Sequence, residues 1–486
     1  MTEQITSDLQ PELIWQIFEE ITKIPRPSKK EEKIRAWVKK WAKENDVAIK
    51  NEDKVGNLLL RVEATTGCEK YPTLILQAHM DMVCQKNADV EIDFENDSLN
   101  IIVNGDRVEA KGTSLGADNG IGMAYGLAAL VSKDLKHGPL EVLLTVDEET
   151  GLTGAFALKP GFFSGKYLLN VDSEELGTIT ISSAGGGGTD FSLPVNLETV
   201  KDMEGIEMKI SGLQGGHSGV DIDLPRLNAI KVGIDALLSV LDDDIQLSNI
   251  NAGTAHNAIP RSFIADIVFP KNKKKEIKKK INNWKNKTIS IGKKAEANLK
   301  IEIKEKNSLQ ALSKEQTKST ILLLDSIFHG PISFSKEITG LVQTSNNLAT
   351  VKVTDEEVQV HVSTRSSVNE ELAETREKLK ANGEAHGFTV KQDEAYPGWK
   401  PNKDSPFLKV VKENYDNVTQ TPTKLLAIHA GLECGLLLAI DPDLQLASIG
   451  PNIKNAHSPD EYVEIESVGI IWEVIKGVIE GMGTLN

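Results

Sequence analysis

Along the first part of the chain the apolar positions switch between two periods. From Pro11 to Ile24, Leu13, Ile14, Ile17, Phe18 and Ile21 recur at helical spacing, which predicts an amphipathic helix. The pattern predicts a second helix over Lys30 to Asn45. Three short apolar runs follow, Thr73 to Ala78, Glu141 to Val146 and Lys166 to Val171. Runs this short, separated by helical stretches, predict strands of a mainly parallel sheet covered on both faces. At Ala184-Gly-Gly-Gly-Gly188 the texture breaks. Four consecutive glycines hold a regular element poorly, so a hinge or crossover is expected there.

Beyond the glycines the order changes. A strand is expected at Ile206 to Ile210, a helix at Pro225 to Leu241, and two strands within His256 to Pro270. A lysine-rich helix and a strand at Leu299 to Ile303 come next. A similar order then recurs: a helix over Glu315 to Phe328, strands over Leu348 to Val353 and Val358 to Thr364, a helix over Asn369 to Asn382, and a strand near Phe388 to Gln392. After Tyr396-Pro-Gly-Trp399 the first texture resumes, with a strand at Leu444 to Gly450 and a final helix marked by Val468, Ile471, Val474, Ile475 and Val478. The expected architecture is α/β. A mixed, mainly parallel sheet covered by helices forms a catalytic domain from 1–187 and 398–486. An α+β lid domain of two similar half-units, 188–397, is inserted into it.

Composition narrows the function classes. The 486 residues suggest more than one structural unit. A formal net charge of −16 argues against a nucleic-acid binder, whose affinity comes largely from Lys and Arg on phosphates. The lysine run from Lys271 to Lys287 reads as the solvated face of a helix rather than a polyanion patch. The three cysteines, Cys68, Cys84 and Cys434, do not describe a disulfide framework. Neither a secretory signal nor an apolar membrane span is visible, so a cytoplasmic protein is expected. Cys84 reads as a small buried apolar residue rather than a soft ligand.

The candidate chemistry lies at the ends of the expected strands. The first ends in His79-Met-Asp81, the second in Asp147-Glu-Glu-Thr150, the third in Asp172. Ligands of open α/β sheets bind at the carboxyl ends of strands, so His79, Glu148, Glu149 and Asp172 should converge on one rim. Asp118, in Gly116-Ala-Asp-Asn-Gly-Ile-Gly122, opens a helical pattern as a good N-cap residue. His457, in Asn455-Ala-His-Ser-Pro459, is expected in a loop between the last strand and the last helix. Imidazole nitrogen and carboxylate oxygen are the donors that Zn²⁺ accepts when one position stays open for catalysis. Two imidazoles and three carboxylates make a dinuclear site chemically sensible.

The motifs His79-Met-Asp81, Gly116-Ala-Asp118-Asn-Gly, Asp147-Glu-Glu149-Thr-Gly and Asn170-Val-Asp172-Ser-Glu-Glu resemble the dizinc exopeptidase family of aminoacylases, tripeptidases and carnosinase-type dipeptidases. Within it, they resemble the branch of bacterial aminoacyl-histidine dipeptidases. The resemblance spans essentially the whole chain. It implies that Asp118 bridges two divalent ions, with His79 and Asp172 on one and Glu149 and His457 on the other. Zn²⁺ is expected, although the same donors suit Co²⁺ or Mn²⁺. The resemblance further implies that Asp81 orients His79 and that Glu148 is the general base. In Gly215-Gly-His217-Ser-Gly it implies an oxyanion donor at His217. Asn257 and Arg365 resemble holders of the substrate's terminal carboxylate. His429-Ala-Gly431 resembles a substrate loop.

The leading reading is a cytoplasmic dinuclear-metal dipeptidase acting on Xaa-His and other unblocked dipeptides. It has small dipeptides as its partners, with no nucleic acid and no membrane, and whether it forms a homodimer stays open. An N-acyl-amino-acid amidohydrolase or carboxypeptidase with the same metal core is the alternative. A catalytically dead, metal-stabilised binding protein would require the loss of Glu148, which is present.

Overall fold

The computed structural model describes residues 5–485 except Asn196, Asp242, Asp243, Asn307, Leu309 and Ala430. Among them the chain divides into two compact units. One comprises 1–182, 399–427 and 432–486, and the other 183–398 and 428–431. The first division thus falls five residues before the expected boundary and the second one residue after it, and the short segment at 428–431 groups with the second unit.

The first unit is built on an eight-stranded sheet. Its order is Ala48–Glu52, Leu58–Val62, Leu140–Thr145, Leu74–His79, Tyr167–Asn170, Gln445–Ser448, Thr178–Ser183, Lys424–Ile428. The four central strands, 140–145, 74–79, 167–170 and 445–448, run parallel. Their apolar runs therefore end at one rim, with His79 level with Thr145 and Gln77 level with Asn170. The helix Ala117–Val131 is buried nearly all round. Its small and apolar residues let it pack against both the sheet and the helix Glu12–Thr22. Ile14, Phe18, Leu76, Leu127, Val142, Leu169 and Ile475 belong to one continuous core. A small sheet of Ile101–Asn104, Arg107–Ala110, Tyr462–Glu464 and Ile453–Lys454 flanks it. The His457 loop therefore lies between two short paired strands, not between the last strand and the last helix.

The second unit carries a nine-stranded antiparallel sheet: two half-units of four strands share one plan, and Gly330–Phe334 pairs with Val342–Val353 as the ninth strand. The first runs Met203–Ser211, helix Ala229–Leu238, Gln246–Ala252, Phe263–Pro270, helix Lys274–Gly292, Lys300–Glu305. The second runs Gly185–Pro194, helix Lys314–Ser326, Val342–Val353, Glu357–Ser366, helix Asn369–Ala385, Thr389–Gln392. In each, the strands lie in the order fourth, first, third, second, and the two second strands join through Asn251–Lys352 and Ala252–Val351. The halves interleave, because the second takes its first strand from ahead of the first half.

Two features differ from the sequence reading here. The chain crosses from one unit to the other at 182–183, just ahead of the glycine run, but the run itself is a regular strand, which was not expected. Gly185–Pro194 pairs along its whole length with Glu357–Ser366. A Cβ on Gly185 would lie 2.4 Å from Tyr396 O and from Gly398 N, so glycine permits a close backbone approach. The strand Gln246–Ala252 was not foreseen either, since its Ser and Asn residues mask a pattern that buries Leu247, Ile250 and Ala252. The lysine-rich helix does present a solvated face, with Lys274 and Lys278 ion-paired to Glu305 and Ile277, Ile281 and Trp284 buried.

Candidate metal centre

The parallel register brings the acidic and imidazole side chains to one rim of the first unit. Asp118 stands between the two imidazoles. Its Oδ1 is 3.0 Å from His79 Nε2 and its Oδ2 is 3.1 Å from His457 Nε2. Asp172 Oδ1 lies 3.3 Å from His79 Nε2, and Glu149 Oε2 lies 3.0 Å from His457 Nε2. Two donor sets result: His79, Asp118 and Asp172, and Asp118, Glu149 and His457. In each set the donor atoms lie within 4.8 Å of one another.

These donors fit two divalent cations. Each set offers one imidazole and two carboxylates, the mixture that Zn²⁺ and its neighbours accept. Glu149 Oε1 is also buried with no hydrogen-bond partner, as an oxygen meant for a cation would be. The electrostatics agree. Asp118, then Glu149, hold the His457 pKa up at about 11 against the effect of burial. Burial works against the charged form of His79 too, yet Asp172, Asp118 and Asp81 keep it well above its ordinary value. The surrounding carboxylates thus favour positive charge at each ring, whether a proton or a cation that replaces it.

The backbone is unusual where it delivers these groups. His457 has φ +64° and Asp147 has φ +49°, a region that non-glycine residues seldom adopt and that clusters at functional sites. Asp118 lies inside the helix Ala117–Val131 with a non-helical ψ of 108°. It does not cap that helix. The N-cap is Gly116, without a side-chain cap, and the Asp118 carboxylate faces the imidazoles instead. The Asn119 amide donates to Asp172.

Asp81, fully buried, sits 3.2 Å from His79 Nδ1. It accepts from Ser28 Oγ at 2.8 Å and from the N–H groups of Glu148 and Glu149 at 3.0 and 3.2 Å. Burial would raise this carboxyl, but His79 and the N–H donors hold it at about 2. It thus stays a charged acceptor beside His79 Nδ1. Burial pushes Glu148 well up, with His79 opposing and Asp172, Glu433 and Glu149 adding to the rise. A layer of hydrogen bonds runs beneath the rim. Glu433 Oε2 accepts from Gln77 and Thr145 at 2.6 and 2.7 Å, and Gln77 accepts from Asn170 at 2.6 Å. Cys84 is half-buried, its thiol pushed by burial to about 11, and it belongs to no ligand group among the described residues.

In the second unit, His217, Arg365, His429 and Gly431 form a separate set. Gly219 and Val220 donate their N–H groups to His217 Nδ1, both at 3.1 Å. That leaves the ring proton on Nε2. Burial and the Arg365 charge lower the His217 pKa, so the ring stays a neutral N–H donor. Arg365 donates to Tyr396 Oη at 3.1 Å. His429 Nε2 lies 2.7 Å from Ser345 Oγ, and burial followed by Arg365 depresses its pKa to about 3. Gly431 lies against the Tyr396 ring, where a Cβ would approach to 3.1 Å. Asn257 is exposed, and its carbonyl accepts from the N–H of Ser218, the residue after His217, at 2.8 Å, while its neighbour Ala258 pairs with His217. Sequence reasoning missed Arg26, Glu433 and Glu461, because buried ionic residues have no periodic signature.

Comparison with known proteins bears on these observations. A family model described as peptidase family M20/M25/M40 matches residues 75–481. The chain is 38% identical over 477 residues to the cytosol non-specific dipeptidase of Escherichia coli K12, covering 98% of each chain. The crystal structure of aminoacylhistidine dipeptidase from Vibrio alginolyticus superposes with a TM-score of 0.88 at 35% identity, over 99% of this chain and 98% of that one. Aminopeptidase PepT from Bacillus cereus shares the fold at 17% identity, with a TM-score of 0.56 over 98% and 99% of the two chains. The resemblance read from the motifs and the α/β architecture both agree with these findings.

Proposed function

This chain belongs to peptidase family M20/M25/M40, and on that premise we propose that it is a cytosolic, dinuclear-metal dipeptidase that hydrolyses Xaa-His and other unblocked dipeptides. The observation that carries the reading is Asp118, whose two oxygens each lie against a different imidazole. His79 and Asp172 would hold one cation, Glu149 and His457 the other, with Asp118 shared. Zn²⁺ is the first choice for the pair, with Co²⁺ and Mn²⁺ the alternatives. When bound, such a pair polarises the scissile carbonyl and lowers the pKa of a water molecule toward about 7.

The chain's own residues supply the rest. Glu148, adjacent to Glu149, takes the proton of the attacking water and returns it to the leaving amine. Its burial favours that role, since a desolvated carboxylate binds a proton more readily. Asp81 keeps His79 in the tautomer that presents Nε2. His217 donates Nε2–H to the developing oxyanion, and its neutral, fixed tautomer suits that task. Arg365 takes the substrate's terminal carboxylate, to which a guanidinium can bind in two-point fashion. Asn257, His429 and Gly431 complete the recognition surface. The dipeptide preference rests on the names of the Escherichia coli and Vibrio relatives.

Replacing Glu148 by Gln should leave metal content unchanged and lower kcat by about 10²- to 10⁴-fold, the usual weight of a general base. A panel of free, N-acetylated and C-amidated dipeptides separates this reading from an amidohydrolase. Only the free dipeptides should be cleaved; equal cleavage of the blocked forms would reject the proposal.

A further inference from the structure

The N–H groups of the turn from Leu115 to Asp118, which leads into the buried helix, face a carboxylate supplied from far along the chain. Glu461 Oε2 accepts from Leu115 N at 2.9 Å and Gly116 N at 3.0 Å. Its Oε1 accepts from Ala117 N at 2.8 Å and Asp118 N at 3.4 Å. Glu461 is only 2% exposed. Four successive N–H groups converging on one carboxylate form a nest in the turn that leads into the helix.

Arg26 grips the same segment from its carbonyl side. It is 1% exposed and donates to Met80 O at 3.1 Å, to Asp81 O at 2.7 Å, and to Gly116 O. Gly116 is therefore held at both ends, its N–H by Glu461 and its C=O by Arg26. With φ +66° and Arg26 Nη2 2.5 Å from where a Cβ would stand, only glycine fits. Glu461 is the leading opposite charge acting on Arg26.

This arrangement connects three segments. Arg26 holds the turn after His79, both residues hold the turn before Asp118, and Glu461 closes the loop that carries His457. The half-sites differ in what else supports them. His79 is 1% exposed and braced by Asp81. The His457 side chain is 50% exposed and at φ +64°, and among the described residues its ring is met only by the proposed ligands Asp118 and Glu149.

We propose that Glu461 and Arg26 are positioning residues that clasp the Asp118 turn to the His457 loop, and that tight binding of the second divalent ion, between Glu149 and His457, depends on this clasp. The inference rests on the dinuclear reading above. Neither residue touches substrate, so the clasp acts through ion occupancy.

The test is titration of the metal-free full chain with Zn²⁺, read by calorimetry, in wild type, Glu461→Gln and Glu461→Asp. A Gln side chain offers one acceptor oxygen in place of two and loses the charge. Wild type should bind two equivalents. Glu461→Gln should bind the first equivalent with unchanged affinity and the second about 10- to 100-fold more weakly, the usual effect of removing a group that orients a ligand. Glu461→Asp, which keeps the charge, should recover part of the loss. At Zn²⁺ concentrations above the weakened constant, kcat should return to the wild-type value with KM unchanged. Metal-free circular dichroism checks that each variant is folded. If Glu461→Gln does not fold, Glu461→Asp is held to the same criterion. Two equivalents at wild-type affinity in the variants, or equal weakening of both, would overturn the clasp and leave the dinuclear reading intact. Failure of the wild type to bind a second equivalent would instead overturn that reading.

Discussion

Single side chains in this protein are set by charge and proton placement as much as by packing. His329 illustrates the consequence for stability. Its Nδ1 lies 3.2 Å from the Asn228 amide, which also donates to Leu348 O at 2.9 Å and so presents a donor to the ring. Burial, then the Lys231 charge, lower its pKa from 6.5 to about 4. The folded pKa is below the unfolded one, so between pH 6.5 and 4 the unfolded chain binds more protons. Stability should therefore fall as pH drops through that window and level off below it, by at most about 3 kcal/mol. Urea midpoints at pH 7 and pH 4.5, compared with those of His329→Gln, check this; an unchanged slope in the variant would assign the effect elsewhere. The chemically loaded residues were largely legible in the sequence, because His79, Asp118, Glu149, Asp172 and His457 sit in compact motifs. Glu461 and Arg26 were not, since their meaning lies in backbone N–H and C=O groups that become neighbours only on folding.

At the scale of elements, the glycine-rich strand shows how local propensity can be overridden. Glycine weakens an isolated strand, which is why Ala184 to Gly188 reads as a break. Pairing with Glu357–Ser366 and close approach of the 396–398 backbone reverse that preference. Gly185→Ala should accordingly destabilise the second unit by about 1–3 kcal/mol, because the obstructing atoms are backbone and cannot turn aside. A denaturation midpoint within error of wild type would show that the 396–398 segment yields. The helix Ala117–Val131 is the converse case. Its apolar pattern located it correctly, but Asp118 does not cap it, because Glu461 takes over the N–H groups and frees that carboxylate for the imidazoles.

For the whole molecule, the two units have separate cores, one including Ile14, Leu76 and Ile475 and the other Ile206, Phe263 and Val360. All five proposed metal ligands belong to the first unit. A ligand that binds only the folded state stabilises it by about 2.7 kcal/mol at one hundred times its Kd. Chelation should therefore lower a calorimetric transition of the first unit and leave that of the second in place; equal shifts of all transitions would contradict independent units. The sequence by itself determined the parallel central strands, the main helices and the motifs of the proposed ligands, because apolar periodicity and short motifs are local properties of the chain. Tertiary structure alone decided that Gly185–Pro194 is the first strand of a half-unit continued more than a hundred residues later, and which carboxylates face imidazoles and which face backbone. Those choices depend on register and on the mutual burial of distant charges, and neither is written in the spacing of any one segment.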